Sequence, residues 1–480
     1  MESIWTQSAS LPPRPALDHD LETDVVVIGA GMAGVLTAWF LQQRGLDVVV
    51  LEANRVGSGQ TQNTTAKITA QHGLTYQKLI ETFGLQRAAQ YAKASWKAIA
   101  DYRSIVKELH ISCQLEEVPA YLYTRFNPQA LADEAHAAAQ LGIEATLLRE
   151  SALPFPVEAA LCFPRQAQFH PLQFLKAVAE PLTIYERSLV NTVEAHSVST
   201  DQATVTARHI VFASHVPFVN FPGFYFARMH QERSYVLALS QAQKLDGIYY
   251  GIDSDGLSFR NVGDLLLLGG GGHRTGENSK GGKYDHLRSA AGKFWPNCFE
   301  VARWSAQDGV TLDGVPYIGT YARSRPSWYV ATGFRKWGMT GSMVAARLLA
   351  DQITGRHNAY ADVFSPQRFS TAAVPSLLRD SGQACKGISR QLFQVPQETA
   401  EALPRGRGGI VTVNGEKAGV YKDDIGRIYV VSPRCPHMGC QLEWNPDEKS
   451  WDCPCHGSRF DYKGTLINNP ALSNLPSWTL

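Results

Sequence analysis

Apolar residues recur along this chain in two rhythms, and the change of rhythm divides it. Near the start, Asp24-Val25-Val26-Val27-Ile28 is a continuous apolar run that stops at Gly29. Helix-forming residues follow from Val35 to Leu41, and a second apolar run, Val48 to Leu51, closes on Glu52. Two runs with no polar face, joined by a helical segment, predict a βαβ unit in a buried parallel sheet. Residues 76–109 and 128–141 are Ala-rich with dispersed charge and read as helices with one solvated face. Residues 182–215 and 230–268 alternate apolar and polar positions and read as strands. Residues 366–390 read as broken helix, with pieces at 372–378 and 385–392, followed by Pro396 and the stretch Pro404-Arg405-Gly406-Arg407-Gly408-Gly409. Short strands then take over: Ile410–Val413, Asn414-Gly415 and Glu416–Tyr421 predict a hairpin with a type I′ turn. Asp423–Arg427 turns again into Ile428–Val431. The expected organisation is an N-terminal extension (1–23), a large α/β unit (24–365), a linker (366–395) and a small all-β unit (396–480), with no internal repeat.

Composition narrows the class. The chain has 480 residues, 44% hydrophobic and 19% charged, with a formal net charge of +1. That is an ordinary globular composition, long enough for more than one core, and it offers no basic patch for nucleic acid. No apolar run reaches the roughly 18 residues of a membrane span. The first twenty residues carry Pro12-Pro13-Arg14-Pro15 and lack the apolar stretch of a secretory signal, so a cytoplasmic location is expected. Of eight cysteines, four crowd into two short loops, while Cys113, Cys162, Cys298 and Cys385 are scattered.

Gly29-Ala30-Gly31-Met32-Ala33-Gly34, placed between an apolar strand and a helix, is the dinucleotide-binding pattern G-x-G-x-x-G. Gly29 permits the tight turn, Gly31 admits a pyrophosphate close to the backbone, and Gly34 lets helix and strand approach. Glu52, next to Ala53, can accept hydrogen bonds from a ribose 2′-hydroxyl and disfavours a 2′-phosphate. The Gly/Ser/Thr-rich segment 55–72 that follows resembles the FAD-dependent oxidoreductases of the D-amino-acid oxidase and glycine oxidase type. Ile210–His215, Leu267-Leu268-Gly269-Gly270-Gly271-Gly272-His273 and Tyr329–Phe334 with Gly338–Ser342 match that family's later motifs in order.

This resemblance implies a Rossmann-like FAD-binding domain with an interleaved α+β substrate domain. Thr64, Thr65 and Ala66 would lie near the diphosphate and flavin. Gly333, Gly338, Met339 and Thr340 would turn backbone N–H groups toward the reduced flavin, whose negative charge such dipoles stabilise. Substrate contacts are expected among Arg233, Tyr235, Arg274, Tyr317, Arg335, Lys336 and Trp337, an arginine being suited to a carboxylate. His72 and His215 are further candidates for such contacts, with a satisfied polar side chain as the more ordinary reading of each. The pattern identifies no general base.

The two cysteine loops are Cys435-Pro436-His437-Met438-Gly439-Cys440 and Cys453-Pro454-Cys455-His456-Gly457-Ser458. Read as ligands, each supplies one thiolate and one imidazole, which suits a 2Fe–2S cluster with both sulfurs on one iron and both histidines on the other. A zinc finger spaces its ligands differently. From about residue 396 the chain resembles a Rieske domain. The resemblance implies Cys435, His437, Cys453 and His456 as ligands and a Cys440–Cys455 disulfide, as in the cytochrome bc branch. It also implies that Ser458 donates a hydrogen bond to a cluster sulfur. Phe460 stands where that branch has a hydroxyl-bearing tyrosine, so a potential below that branch is expected, within the Rieske range of roughly −150 to +300 mV.

Together the motifs imply a dehydrogenase that oxidises an amine or amino acid at FAD. It would pass electrons singly through the cluster to an external acceptor, a protein or a quinone-like molecule, through exposed His437 and His456. The alternatives are a reductase fed by NAD(P)H, against which stands the lack of a second G-x-G-x-x-G unit, and a non-catalytic redox sensor.

Overall fold

The apolar runs at the start of the chain become the centre of a parallel sheet. Leu21–Ile28 pairs in parallel with Val48–Leu51 on one side and with Thr204–Phe212 on the other. Thr183–Tyr185 extends the sheet at one edge, and Arg325–Thr332 followed by antiparallel Tyr317–Ala322 extends it at the other. Helices Met32–Gln42 and Gly338–Ile353 pack together over this sheet. Met32 to Leu41 is buried all round, which is why its sequence shows no polar stripe. This computed structural model describes residues 2–368, 377–380, 382, 389, 391 and 399–478. The pieces expected at 372–378 and 385–392 fall largely outside these residues, as does Cys385.

A second, mixed nine-stranded sheet rises from the long connections of the first. Its order begins with Phe299–Thr311, Met229–Ser240, Leu265–Arg274 and Ser258–Val262, all antiparallel, and continues through Ile248–Gly251, Glu116–Thr124 and Ala159–Gln168. The alternation read at 230–268 is this sheet. The helix expected at 76–109 spans Tyr76–Glu108, kinked at Gly84 (φ 79°), and that at 128–141 spans Pro128–Gln140 with Asn127 capping its first turn. The N-terminal segment packs as part of the large unit. Trp5 is fully buried and donates from Nε1 to the Thr64 carbonyl at 2.7 Å.

The C-terminal unit is all β, built from two antiparallel four-stranded sheets. The hairpin Arg407–Val413 and Glu416–Lys422 turns on Asn414 (φ 50°) and Gly415 (φ 84°), the pair of positive φ angles a type I′ turn demands. Its second sheet carries the two cysteine loops at one end. Trp451, Phe460, Leu442 and the four loop cysteines form the core beneath them. No described helix is long and apolar enough to cross a membrane.

Candidate functional site

The dinucleotide motif folds as its glycines require. Gly29 has φ 107°, and a Cβ there would stand 2.7 Å from the Ala213 carbonyl oxygen; one on Gly34 would stand 1.9 Å from the Gly29 oxygen. The strand therefore meets the helix with no side chain between them, and Gly31 leaves the helix N-terminus without a side-chain cap. This is a cradle for a pyrophosphate. Glu52 sits at the end of its strand, where its carboxylate accepts from the Ala30 amide at 2.8 Å and the Asn54 amide at 2.9 Å. Burial raises its pKa. Each oxygen keeps a second lone pair for a ribose hydroxyl. The Thr64–Ala66 loop is pinned from below: Arg260 donates to the Thr65 and Ala66 carbonyls at 2.7 and 2.6 Å. Opposite it, Gly333 (φ 76°) leads to the helix that begins at Gly338, also without a side-chain cap. Thr340 ties that helix to the loop by donating to the Thr69 carbonyl at 2.7 Å. These residues fit FAD.

Against the second sheet lies a cavity of about 680 Å³, lined by Thr64, Thr65, Lys67, Tyr250, Gly269–Gly272, Asp308, Arg335, Lys336 and Trp337 among others. That volume suits a flavin ring and a small molecule together. His72 stacks on Trp337 with ring centres 4.9 Å apart and is satisfied by Tyr91 and Thr69. Burial pushes it down to about 3, so it is neutral where it lines the cavity. His215, bonded to Gln231 at 3.0 Å and pushed down to about 4 by burial, is likewise neutral. Two titratable groups that the sequence did not single out also line this cavity. Burial, reinforced by Arg260 and Lys336, lowers Lys67 to about 7. Burial raises Asp308 to about 6. Nothing in the local sequence marks either one; their proximity comes from separate elements.

Three expected substrate contacts lie elsewhere. Tyr317 is covered by the Arg228 and Arg368 guanidiniums at 4.4 and 4.5 Å. Arg274 bonds Asp380 and the Pro454 carbonyl. Arg233, 2% exposed, binds Glu448 of the C-terminal unit in bidentate fashion, at 2.6 Å from both Nε and Nη2. Tyr235 touches the cavity's edge, but its hydroxyl turns to Asn278 and Asn445. Arg233, Tyr235 and Arg274 turn away because this face of their sheet is covered by the C-terminal unit, whereas Tyr317 belongs to the parallel sheet and lies under the guanidiniums of Arg228 and Arg368.

In the cysteine loops, Cys440 and Cys455 are joined by a disulfide. Cys440, Cys453 and Cys455 bring their sulfurs within 4.8 Å of one another, but the first and last are bonded together and offer no thiolate. Cys435 and Cys453 remain as free, buried thiols facing each other. The amides of His437 and Met438 and the Ser458 hydroxyl point to the Cys435 sulfur; those of Cys455 and His456 point to Cys453. The rings of His437 and His456 stand 5.0 Å apart at 88°. His437 Nδ1 is buried with no hydrogen-bond partner, while its Nε2 donates to Asn220 Oδ1 at 2.9 Å. A buried imidazole nitrogen without a hydrogen-bond partner calls for another kind of bond, and with the two free thiols it makes a donor set that fits a 2Fe–2S cluster. Phe460, fully buried, pairs across strands with Trp451.

The histidines are not on an open tip. His456 is 7% exposed, and Phe226 packs edge-on against it at 5.5 Å. Gly457 lies so close to the large unit that a Cβ would reach 2.2 Å from Gln231 Cγ, and its carbonyl accepts from Gln307 Nε2 at 2.9 Å. Asn469 donates to the Ser214 and Val216 carbonyls. The register of Met229–Ser240 on Phe299–Thr311 pairs Arg233 with Gln307 and Tyr235 with Ser305, alternating with Ser234–Ala306 and Glu232–Asp308. Side chains of a strand alternate between faces. Arg233, Ser305 and Gln307 thus face the cysteine loops, while Ser234, Ala306 and Asp308 line the cavity. One pair of strands separates the two.

Known proteins agree with this construction. The chain belongs to the FAD dependent oxidoreductase family (DAO), whose model matches residues 24–352, and a Rieske [2Fe-2S] domain model matches residues 394–479. It is an oxidoreductase with one FAD-binding and one cluster-binding domain. It is 38% identical, over 99% of its length and 97% of the relative's, to the "Putative Rieske 2Fe-2S iron-sulfur protein YhfW" of Bacillus subtilis strain 168. Gamma-glutamylputrescine oxidoreductase of Escherichia coli K12 is 24% identical over 75% of this chain and 91% of its own. Among solved structures, glycine oxidase from Geobacillus kaustophilus superposes with a TM-score of 0.62 at 19% identity, covering 73% of this chain and 99% of that one.

Proposed function

We propose that this protein is a dehydrogenase in which an amine or amino acid is oxidised at FAD in the 680 Å³ cavity and the electrons leave singly through the Rieske cluster to an external acceptor. The observation that carries the reading is the single strand pair between cavity and cysteine loops. A single strand layer is a short path for an electron within one chain. FAD, when bound, takes two electrons and releases them one at a time, matching a cluster that holds one. The cluster's ligands in this reading are Cys435 and Cys453 on one iron and His437 and His456 on the other, with Ser458 and Phe460 setting its potential. Gly29–Gly34, Glu52, Ala53, Thr64–Ala66, Gly333 and Gly338–Thr340 hold the FAD.

The cavity's own residues support a substrate with a carboxylate and an apolar body. Arg335, Lys336 and Lys67 supply positive charge, and Trp337 and Tyr250 supply flat apolar walls. Similarity to a γ-glutamylputrescine oxidoreductase and to a glycine oxidase supports an amine or amino acid without selecting one. Domain limits at 24–365 and 396–480 belong to the same reading, as does a cytoplasmic location, where burial of Cys440 and Cys455 shields their bond from thiol exchange.

The test is anaerobic. Amines, amino acids and hydroxy acids, then NADH and NADPH, are added to the purified holoprotein, with flavin followed by absorbance and cluster by EPR. A small amine or acid should bleach the flavin and raise the Rieske signal. Reduction by nicotinamide alone would reverse the assignment.

A further inference from the structure

Residues of the large unit cover the cluster loops on two sides, so the route by which an electron leaves needs its own account. Toward the cavity lie Gln231, Arg233 and Gln307. Toward solvent, Asn220 Oδ1 accepts a hydrogen bond from His437 Nε2 and Phe226 packs on both rings, at 5.5 Å from His456 and 6.3 Å from His437. Phe226 is itself the inner member of a cluster of three phenylalanines from the segment Phe221-Pro222-Gly223-Phe224-Tyr225-Phe226. Phe221 and Phe224 meet edge-on at 4.9 Å, and each lies within 6.3 Å of Phe226. Phe221 is 64% exposed and Phe224 47%, and Met438, next to His437 in the chain, is 43% exposed. The buried contact between the two domains thus runs without a break into an exposed apolar lobe.

We infer that the Phe221–Phe224 lobe is the docking surface for a one-electron carrier protein with an apolar contact face, and that Phe226 is the bridge from it to the cluster histidines. The inference rests on the proposed direction of electron flow. Each docking event moves one electron from the reduced cluster to one oxidised carrier, so a two-electron substrate oxidation needs two events. Phe221 and Phe224, 64% and 47% exposed, each keep roughly half of the 150–250 Å² an aromatic side chain can bury, an anchor for the small interfaces, below about 1,200 Å², that redox encounters use. A carrier rather than a bilayer is the occupant, because the exposed lobe contains no lysine or arginine, whereas membrane-surface segments combine apolar residues with basic ones.

The test begins from holoprotein reduced by dithionite, so it does not depend on any substrate. Reoxidation is followed with oxidised azurin, a blue-copper carrier with an apolar contact face, with ferricyanide, and with a short-chain quinone in neutral lipid vesicles. Binding of oxidised azurin to oxidised protein is measured separately, where no electron moves. Phe221→Ser/Phe224→Ser should slow azurin reduction at least tenfold and weaken azurin binding, with the ferricyanide rate and the cluster potential unchanged. Phe221→Leu/Phe224→Leu, which keeps the lobe apolar, should retain most of the azurin rate and guards against misfolding of the serine variant. Equal azurin rates in wild type and the serine variant would overturn the inference. So would a wild type that reduces the vesicle quinone, or ferricyanide alone, and not azurin. If the cluster is never reduced through the flavin, the functional proposal fails, and this measurement still reports on the lobe.

Discussion

Removing Glu448 tests whether the Rieske domain is held against the flavin domain by design of its charges. Its carboxylate binds Arg233 through two bonds of 2.6 Å and Arg459 at 3.0 Å, and also accepts from Ser305. Arg459 in turn binds Asp452 at 2.9 Å. Burial alone works to raise the Glu448 pKa, but Arg233 and Arg459 prevail and hold it well below the usual carboxylate range. In Glu448→Ala the guanidinium of Arg233, 2% exposed, loses its only carboxylate among the described ion pairs. Breaking a buried pair this way costs about 3–5 kcal/mol, which is a factor of roughly 10² to 10⁴ in an equilibrium between docked and separated domains. The assay is photoreduction of the flavin under anaerobic conditions, followed by the rate at which the cluster's EPR signal grows. The variant should transfer electrons at least tenfold more slowly while reoxidation of a chemically reduced cluster by ferricyanide stays normal. Glu448→Leu/Arg233→Met, which replaces the pair by apolar groups, should recover part of the rate. Unchanged internal transfer in Glu448→Ala would refute the claim that this contact sets the docked geometry.

Three further outcomes are expected. Asp308, raised to about 6, and Lys67, lowered to about 7, change the cavity's charge in the same direction as pH rises, the first by becoming anionic and the second by becoming neutral. Benzoate binding, read from the flavin spectrum, should therefore weaken in two steps between about pH 5 and 8; Asp308→Asn should remove the lower step and Lys67→Met the upper. Phe460→Tyr should raise the cluster potential if its hydroxyl reaches a sulfur, by about 40 mV for a hydrogen bond of about 1 kcal/mol at 59 mV per tenfold; a fall in a redox titration contradicts the tuning argument. Gly34→Ala should give protein that purifies without FAD or does not fold, since the added methyl would meet the Gly29 oxygen at 1.9 Å; normal flavin content would contradict the close-packing account.

Much of the fold was readable because its elements are locally specified. The run Val25–Ile28, the glycines that follow and the Asn414-Gly415 turn each carry their conformation in their own residue types. The cysteine loops were readable for the same reason: ligands, turn glycines and the pair Cys440 and Cys455 sit within two short segments. The site's outer half was not. Arg233 on a strand reads like any arginine near a substrate, and only the docked arrangement makes Glu448, 215 positions away, its partner. The burial of His456 was missed likewise, because the group that covers it, Phe226, is 230 positions away in sequence. Lys67 and Asp308 owe their shifted pKa values to desolvation in a cavity shared by elements far apart in the chain.

The central claim is that electrons cross from flavin to cluster inside one chain. The most direct measurement is freeze-quench EPR after a light pulse that reduces the flavin anaerobically, at several protein concentrations. The account predicts that the reduced Rieske signal rises as flavin reoxidises, with one rate constant that does not change on dilution. A cluster that stays oxidised, or a rate that falls in proportion to concentration, would contradict it.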